Sequence, residues 1–183
     1  FRISEKLADS ISKGKPGESS KEEHLKESIN NYMTAIEQFI RETEKYFQNI
    51  NKKDSSNGRT IKDDLLEFKS GFDTIYKRKF KKYLKLSSNK SGLFTEMYNC
   101  SPKMTAIVFL SYVSPGKVMV YSNYVVMEGI DMLRVYFKLI GFDNYTVAKE
   151  NMGFCEYHGR IDKNDRIKIK TMYNSSDNIY YLF

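Results

Sequence analysis

Between Glu22 and Ile50, apolar residues recur at three- and four-residue steps: Leu25, Ile29, Tyr32, Met33, Ile36, Phe39, Ile40, Phe47 and Ile50. That spacing predicts one face of a long amphipathic helix. Acidic residues at its start and Asn51-Lys52-Lys53-Asp54 at its end suit the helix dipole. The polar stretch from Asn51 to Thr60 breaks the period. A second helical period then runs through Leu65, Leu66, Phe68, Phe72, Ile75, Tyr76, Phe80, Tyr83 and Leu84, with Gly71 as its weak point. Two helices joined by a polar loop make a helical hairpin, which ends at the Ser87–Gly92 break.

Beyond that break, helical and β-prone segments alternate. Ser101 and Pro102 form an N-cap and first-turn pair, with Met104, Ile107, Val108 and Tyr112 on the apolar face behind them. Lys117–Ser122 has the composition of a short buried strand. Met127–Ile140 returns to the helical period and stops at Gly141, a C-cap residue. A short or edge strand is expected at Asn144–Ala148 and another at Gly153–Gly159, followed by a helix capped by Asp162. This alternation predicts an α/β fold with a parallel sheet and flanking helices. Before it, residues 1–20 mix an apolar-spaced start with a Gly, Pro and Ser stretch of linker character.

The 183 residues carry a net charge of +7, which favours polyanionic partners such as nucleic acid or an anionic membrane. No apolar run approaches the length of a membrane span. The two cysteines, Cys100 and Cys155, stand apart without metal-ligand neighbours, so the expectation is free thiols in a reducing compartment and no metal site.

In open α/β sheets ligands gather at the carboxyl ends of strands. Two segments are expected there: Ser122, Asn123 and Tyr124 after the first strand, and Tyr157, His158, Gly159 and Arg160 after the later one. Hydroxyl, amide, backbone N–H and guanidinium groups suit phosphate oxygens. Ser122 and Asn123 also serve as ordinary turn residues, and both readings stay open on chemistry alone. His158 has neither a nearby second histidine nor a marked nucleophile, so a hydrogen bond or phosphate contact suits it better than catalysis. From Tyr76 to Lys90 the chain carries Lys77, Arg78, Lys79, Lys81, Lys82, Lys85 and Lys90 with no acid among them. Either this is a helix lying along phosphates, or a solvated face on a helix whose aromatics are core. No G-x-x-x-x-G-K-[ST] loop occurs, and no acidic pair ends an apolar strand to hold magnesium.

In order, the segments Ser101–Leu110, Gly116–Phe142 and Tyr157–Tyr180 resemble the opening of the second RecA-like domain in Swi/Snf-like superfamily 2 helicases. The resemblance is closest to the helicase and nucleoside-triphosphatase branch of large cytoplasmic DNA viruses, which includes the poxvirus-type transcription helicases. It covers about half of the chain. Its matching features are a Ser-Pro-Lys helix start, a V-x-V-Y-S strand, a Glu-Gly-Ile helix and a His-Gly strand end with a downstream arginine. It implies that Ser122, Asn123 and Tyr124 form the helicase motif IV loop, and that Tyr157, His158 and Gly159 form the next motif. Both would face the phosphates of the tracked strand, with Tyr157 and Arg166 giving the second loop structural support. The start Phe1–Ser10 also resembles the segment leaving the first motor domain.

The resemblance divides the chain into a linker at 1–20, a helical hairpin insertion at 21–95 and a partial RecA-like domain at 96–183. The phosphate-loop motifs would lie before Phe1, and the glycine-rich and arginine-finger motifs after Phe183. ATP and magnesium are therefore cofactors expected of an intact parent and not of this chain, which is expected not to hydrolyse ATP alone. The implied partners are nucleic acid, with DNA preferred, and the first motor domain, with no membrane. The implied location is cytoplasmic, with a viral factory or a virion as alternatives. The competing reading is a non-enzymatic module whose basic helical half binds nucleic acid or a protein, with the α/β half as scaffold.

Overall fold

A computed structural model describes residues 19–125, 129–144, 153–175 and 179–182. The linker up to residue 18, Met127 and most of the expected strand at Asn144–Ala148 lie outside these residues. The chain's contacts divide it into two units at Glu42/Thr43, within the first helix.

That helix, α1 (Ser19–Asn57), keeps an apolar stripe at positions 29, 33, 36, 40, 47 and 50, while Tyr32 and Phe39 fall off the stripe and are exposed. It runs through Asn51–Asn57, where a polar break was expected, and stops at Gly58, whose φ of 102° suits glycine. The extension has a physical cause. Asp54 continues the same stripe and accepts hydrogen bonds from Gly92 N at 3.2 Å and Leu93 N at 2.7 Å, holding the next helical segment against it.

The expected second helix is two helices, α2 (Ile61–Gly71) and α3 (Phe80–Leu86). Gly71 ends the first because the Tyr76 ring folds back over it: a Cβ there would stand 2.6 Å from Tyr76 Cε2. Lys77 and Arg78 then take left-handed conformations, with φ of 48° and 59°, and turn the chain into α3. The helix α4 (Gly92–Cys100), which the apolar period does not reveal, is capped by Ser91 Oγ accepting from Phe94 N. The helix α5 (Pro102–Tyr112) starts as expected, with Ser101 Oγ accepting from Met104 N.

Phe68, Tyr76, Phe80, Tyr83, Phe94 and Phe109 bury their rings together across α2 to α5, with neighbouring centroids 5.1–6.3 Å apart. Each such burial contributes about 1.5–3 kcal/mol. The aromatics of the basic run are therefore core.

Among the described residues four short strands follow: β1 (Val118–Met119), β2 (Asp143–Asn144), β3 (Gly153–Cys155) and β4 (Ile179–Leu182). They pair parallel in the order β1-β4-β3-β2. The helix α6 (Ile130–Leu139) ends at Gly141, whose φ of 94° makes it the left-handed cap. Phe137 of α6 packs on Phe142 and Phe154, and the Tyr136 hydroxyl donates to Met97 O at 2.9 Å, tying α6 to α4. The helix α7 (Lys163–Ser175) begins where Asp162 Oδ1 accepts from Asn164 N, as expected. Its last turn is held by Lys117, which donates to Tyr173 O and Asn174 O.

Candidate nucleic-acid interface

Strand register brings the two expected loops to one edge. Met119 of β1 pairs with Leu182 of β4, which pairs with Cys155 of β3. The chain segments leaving β1 and β3 therefore depart from the same row, two strand spacings or about 10 Å apart.

The first loop is stitched onto the start of α6. Tyr124 O accepts from Ile130 N at 3.2 Å, and Val125 O accepts from Asp131 N at 3.0 Å. Gly129 makes this approach possible, since a Cβ at that position would fall 2.0 Å from Tyr124 O. Ser122 Oγ accepts from Tyr124 N at 3.1 Å and donates to Tyr124 O at 2.8 Å. Its hydroxyl thus shapes the turn, which is the bland reading of Ser122. Asn123 is exposed, and its Oδ1 accepts from the Tyr121 hydroxyl at 2.9 Å. The Tyr121 ring stands 84% exposed.

After β3, Glu156 is 8% exposed and begins a chain of charges. One carboxylate oxygen faces Arg134 Nη1 at 3.4 Å, and the other faces His158 Nε2 at 3.4 Å. Arg134 Nη2 lies 3.5 Å from Asp131 Oδ1, and Arg160 Nη1 lies 3.8 Å from Asp131 Oδ2. Both loops thus meet at the first turns of α6, one through backbone bonds and the other through ion pairs.

His158 Nδ1 and Arg166 Nε are buried without a hydrogen-bond partner among the described residues. Tyr157, expected as internal support, turns its ring to the surface. Gly159 has neither a positive φ nor any atom within 4 Å of a would-be Cβ, so sterics alone do not require glycine there. Burial beneath the loop pushes the Cys155 thiol up to about 11, which leaves it protonated and unreactive at neutral pH.

Lys77, Arg78, Lys79, Lys81 and Lys82 sit on the α2–α3 turn and on α3, in the helical part of the unit. Arg78 Nε is paired with Asp73 Oδ1 at 2.6 Å, while Lys77, Lys79 and Lys81 are exposed. Since α2 and α3 are separate, these side chains do not form the continuous basic helix expected from the sequence.

Sequence reasoning missed Asp131, Arg134 and Glu156, which link the two loops. A signal was present: an acid three residues before an arginine in the first turns of a helix, and an acid directly after an apolar strand.

Over 180 residues, or 98% of its length, the chain is 59% identical to a protein of Acanthamoeba polyphaga mimivirus named "Putative ATP-dependent RNA helicase R350". It spans 22% of that relative's length. No family model and no solved structure matches the chain.

Proposed function

We propose that this chain is a segment of a viral ATP-dependent helicase and that it supplies contacts to the backbone of a nucleic-acid strand. On this reading residues from about 96 onward belong to a second RecA-like motor domain, and residues 21–95 form a helical insertion before it. The carrying observation is the convergence of the Tyr121–Val125 and Glu156–Arg160 loops at the carboxyl edge of a parallel sheet, where such folds bind ligands. Similarity to a viral protein named as a helicase supports the same reading.

The groups offered at that edge are the Asn123 amide, His158, Arg160 and the backbone around Gly159. They are hydrogen-bond donors suited to phosphate oxygens and carry no base preference. Phosphoryl transfer needs a phosphate loop, a magnesium site and an arginine brought together. The sequence contains no phosphate loop, so this segment contributes strand contact and not hydrolysis. DNA was the expectation from the resemblance, whereas the relative's name specifies RNA. Phosphate contacts serve either, so the ligand proposed is a single strand of nucleic acid.

The exposed lysines of the α2–α3 turn favour a second reading, a basic module that binds through its helical half alone. Anisotropy of labelled single-stranded RNA and DNA 12-mers with the full chain separates the two. Charge reversal at Lys77, Lys79 and Lys82 weakens salt-sensitive binding in both readings. The pair Asn123→Ala and His158→Ala weakens it by about tenfold or more only if the sheet edge holds the strand. Unchanged affinity in that double variant contradicts the proposal and favours the basic module.

A further inference from the structure

We infer that the groove between the Ser87–Lys90 loop and the flank of α4 is a subsite for one nucleotide of a single strand, with the base against Tyr98 and the phosphate at Lys90. The inference rests on the reading that the chain binds nucleic acid, and it adds a place of contact far in sequence from the two sheet-edge loops.

The groove has a volume of about 530 Å³ and is lined chiefly by Ser87, Ser88, Asn89, Lys90, Tyr98 and Asn99. That size falls in the range of small-ligand sites. Tyr98 lies parallel to Phe94, with centroids 6.2 Å apart and planes within 5°. Both rings line the groove, and the half-buried Tyr98 is the more exposed of the two, Phe94 being core. A ring braced by a parallel neighbour in this way loses little freedom when a base stacks on it.

Lys90 is fixed where a phosphate would be met. Its ammonium donates to Ser87 O at 2.6 Å and lies over the rings of Tyr83, at 4.5 Å, and Phe94, at 5.5 Å. Ring faces are weak acceptors, so N–H capacity remains for an oxyanion. Desolvation lowers its pKa, partly offset by Glu67 and Asp64, and an anion in the groove would favour the charged form.

No residue lining the groove is acidic, while Glu67 and Asp64 of α2 act on Lys90 from outside the lining. Lys81 and Lys85 are exposed on α3, whose Leu84 lines the groove. The α4 N-terminal amides are already taken by Asp54 and Ser91, so the site does not depend on a free helix end. Hydroxyls, amides, one fixed ammonium and one braced ring together make sequence-tolerant recognition of a single strand.

Tyr98→Ala and Ser88→Glu in the full chain test the subsite, read by anisotropy of labelled oligo(U) and oligo(dT) 12-mers. Tyr98→Ala is expected to weaken binding about tenfold, toward the low end of the range for one stacked base. Ser88→Glu places an acid on an exposed loop position. It should weaken binding about fivefold and flatten the log–log salt slope by about 0.7. The thermal midpoint of Ser88→Glu should stay where it was, so the test survives even if Tyr98→Ala fails to fold. Affinity equal to that of the unmodified chain in Ser88→Glu overturns the subsite. If Asn123→Ala with His158→Ala still weakens binding, only the groove falls; if that pair is neutral too, the proposed function falls separately. Displacement by poly-glutamate as effective as by unlabelled oligonucleotide would assign the groove to an acidic peptide and overturn the inference.

Discussion

Asp64 and Glu156 are both buried carboxylates that face an arginine, yet the two parts of the molecule use them differently. Asp64, 0% exposed, accepts from Arg59 Nε at 3.0 Å and Nη2 at 2.6 Å, from the Tyr83 hydroxyl at 3.2 Å, and from Ser91 N at 2.9 Å. Beside it, Glu67 is bound by Arg59 and by the Tyr76 hydroxyl at 2.9 Å. Glu156 instead meets Arg134 and His158 at 3.4 Å, and the histidine keeps an unpartnered Nδ1. Short bonds that saturate a carboxylate fix the helices around it. Long contacts and a buried, unpartnered ring nitrogen leave the sheet edge less fully paired than the helices, in keeping with the binding proposed for it. The helical part is therefore read as the store of rigidity and the sheet edge as the store of binding capacity.

The largest expected effect comes from Asp64→Ala, which leaves the Arg59 guanidinium, the Tyr83 hydroxyl and the Ser91 amide without their acceptor. Urea unfolding should show a loss of about 3–5 kcal/mol. Glu156→Ala should lose no more than about 1 kcal/mol, because its pairs are long and Arg134 is partly exposed. Equal losses at the two positions would break the comparison.

Next in size is Gly129→Ala, which puts a Cβ 2.0 Å from Tyr124 O, a backbone atom that cannot rotate away. A loss of about 1–3 kcal/mol is expected, seen as a thermal midpoint lower by several degrees. Strand affinity should fall with it, because the loop must leave the start of α6. Retained affinity would show that the position of this loop is immaterial to binding.

The smallest effect concerns pH. Burial raises the Glu67 pKa, but hydrogen bonds from Arg59 and Tyr76 outweigh it and hold the carboxyl below the ordinary 4.5. Its folded pKa being the lower one, its contribution is complete above 4.5 and disappears as pH falls through the folded value. The stability of Glu67→Gln should therefore decline less steeply below about pH 4.5 than that of the unmodified chain. Identical slopes would remove Glu67 from the rigid part of the comparison.

Features set by residues close in sequence were legible. The Ser101-Pro102 start, the Asp162 cap, the Gly141 stop and the stripe of α1 all follow from local spacing and held in the structure. Features set by distant partners were not. The break at Gly71 depends on Tyr76 returning over it, and the extension of α1 depends on Asp54 meeting amides 38 and 39 residues away. The Asp64 cluster joins residues 5, 19 and 27 positions apart, which no periodicity reveals. At the candidate site the positions of the loops after β1 and β3 were legible because turn residues follow strand ends, while the acids and the arginine that join the loops read as ordinary helix and strand positions.

The division of roles is tested most directly by denaturant unfolding of Asn123→Ala/His158→Ala with and without a single-stranded oligonucleotide. The ligand is held at a concentration 100 times the dissociation constant of the unmodified chain, which should gain about 2.7 kcal/mol from it. Without ligand, the double variant should lose far less than Asp64→Ala, since Asn123 is exposed and the His158–Glu156 contact is long. With ligand, its increment should fall to about half or less, as a tenfold loss of affinity requires. A double variant that keeps the full increment, or that is destabilised on the scale of Asp64→Ala, would contradict the assignment of binding to the sheet edge and of rigidity to the helices.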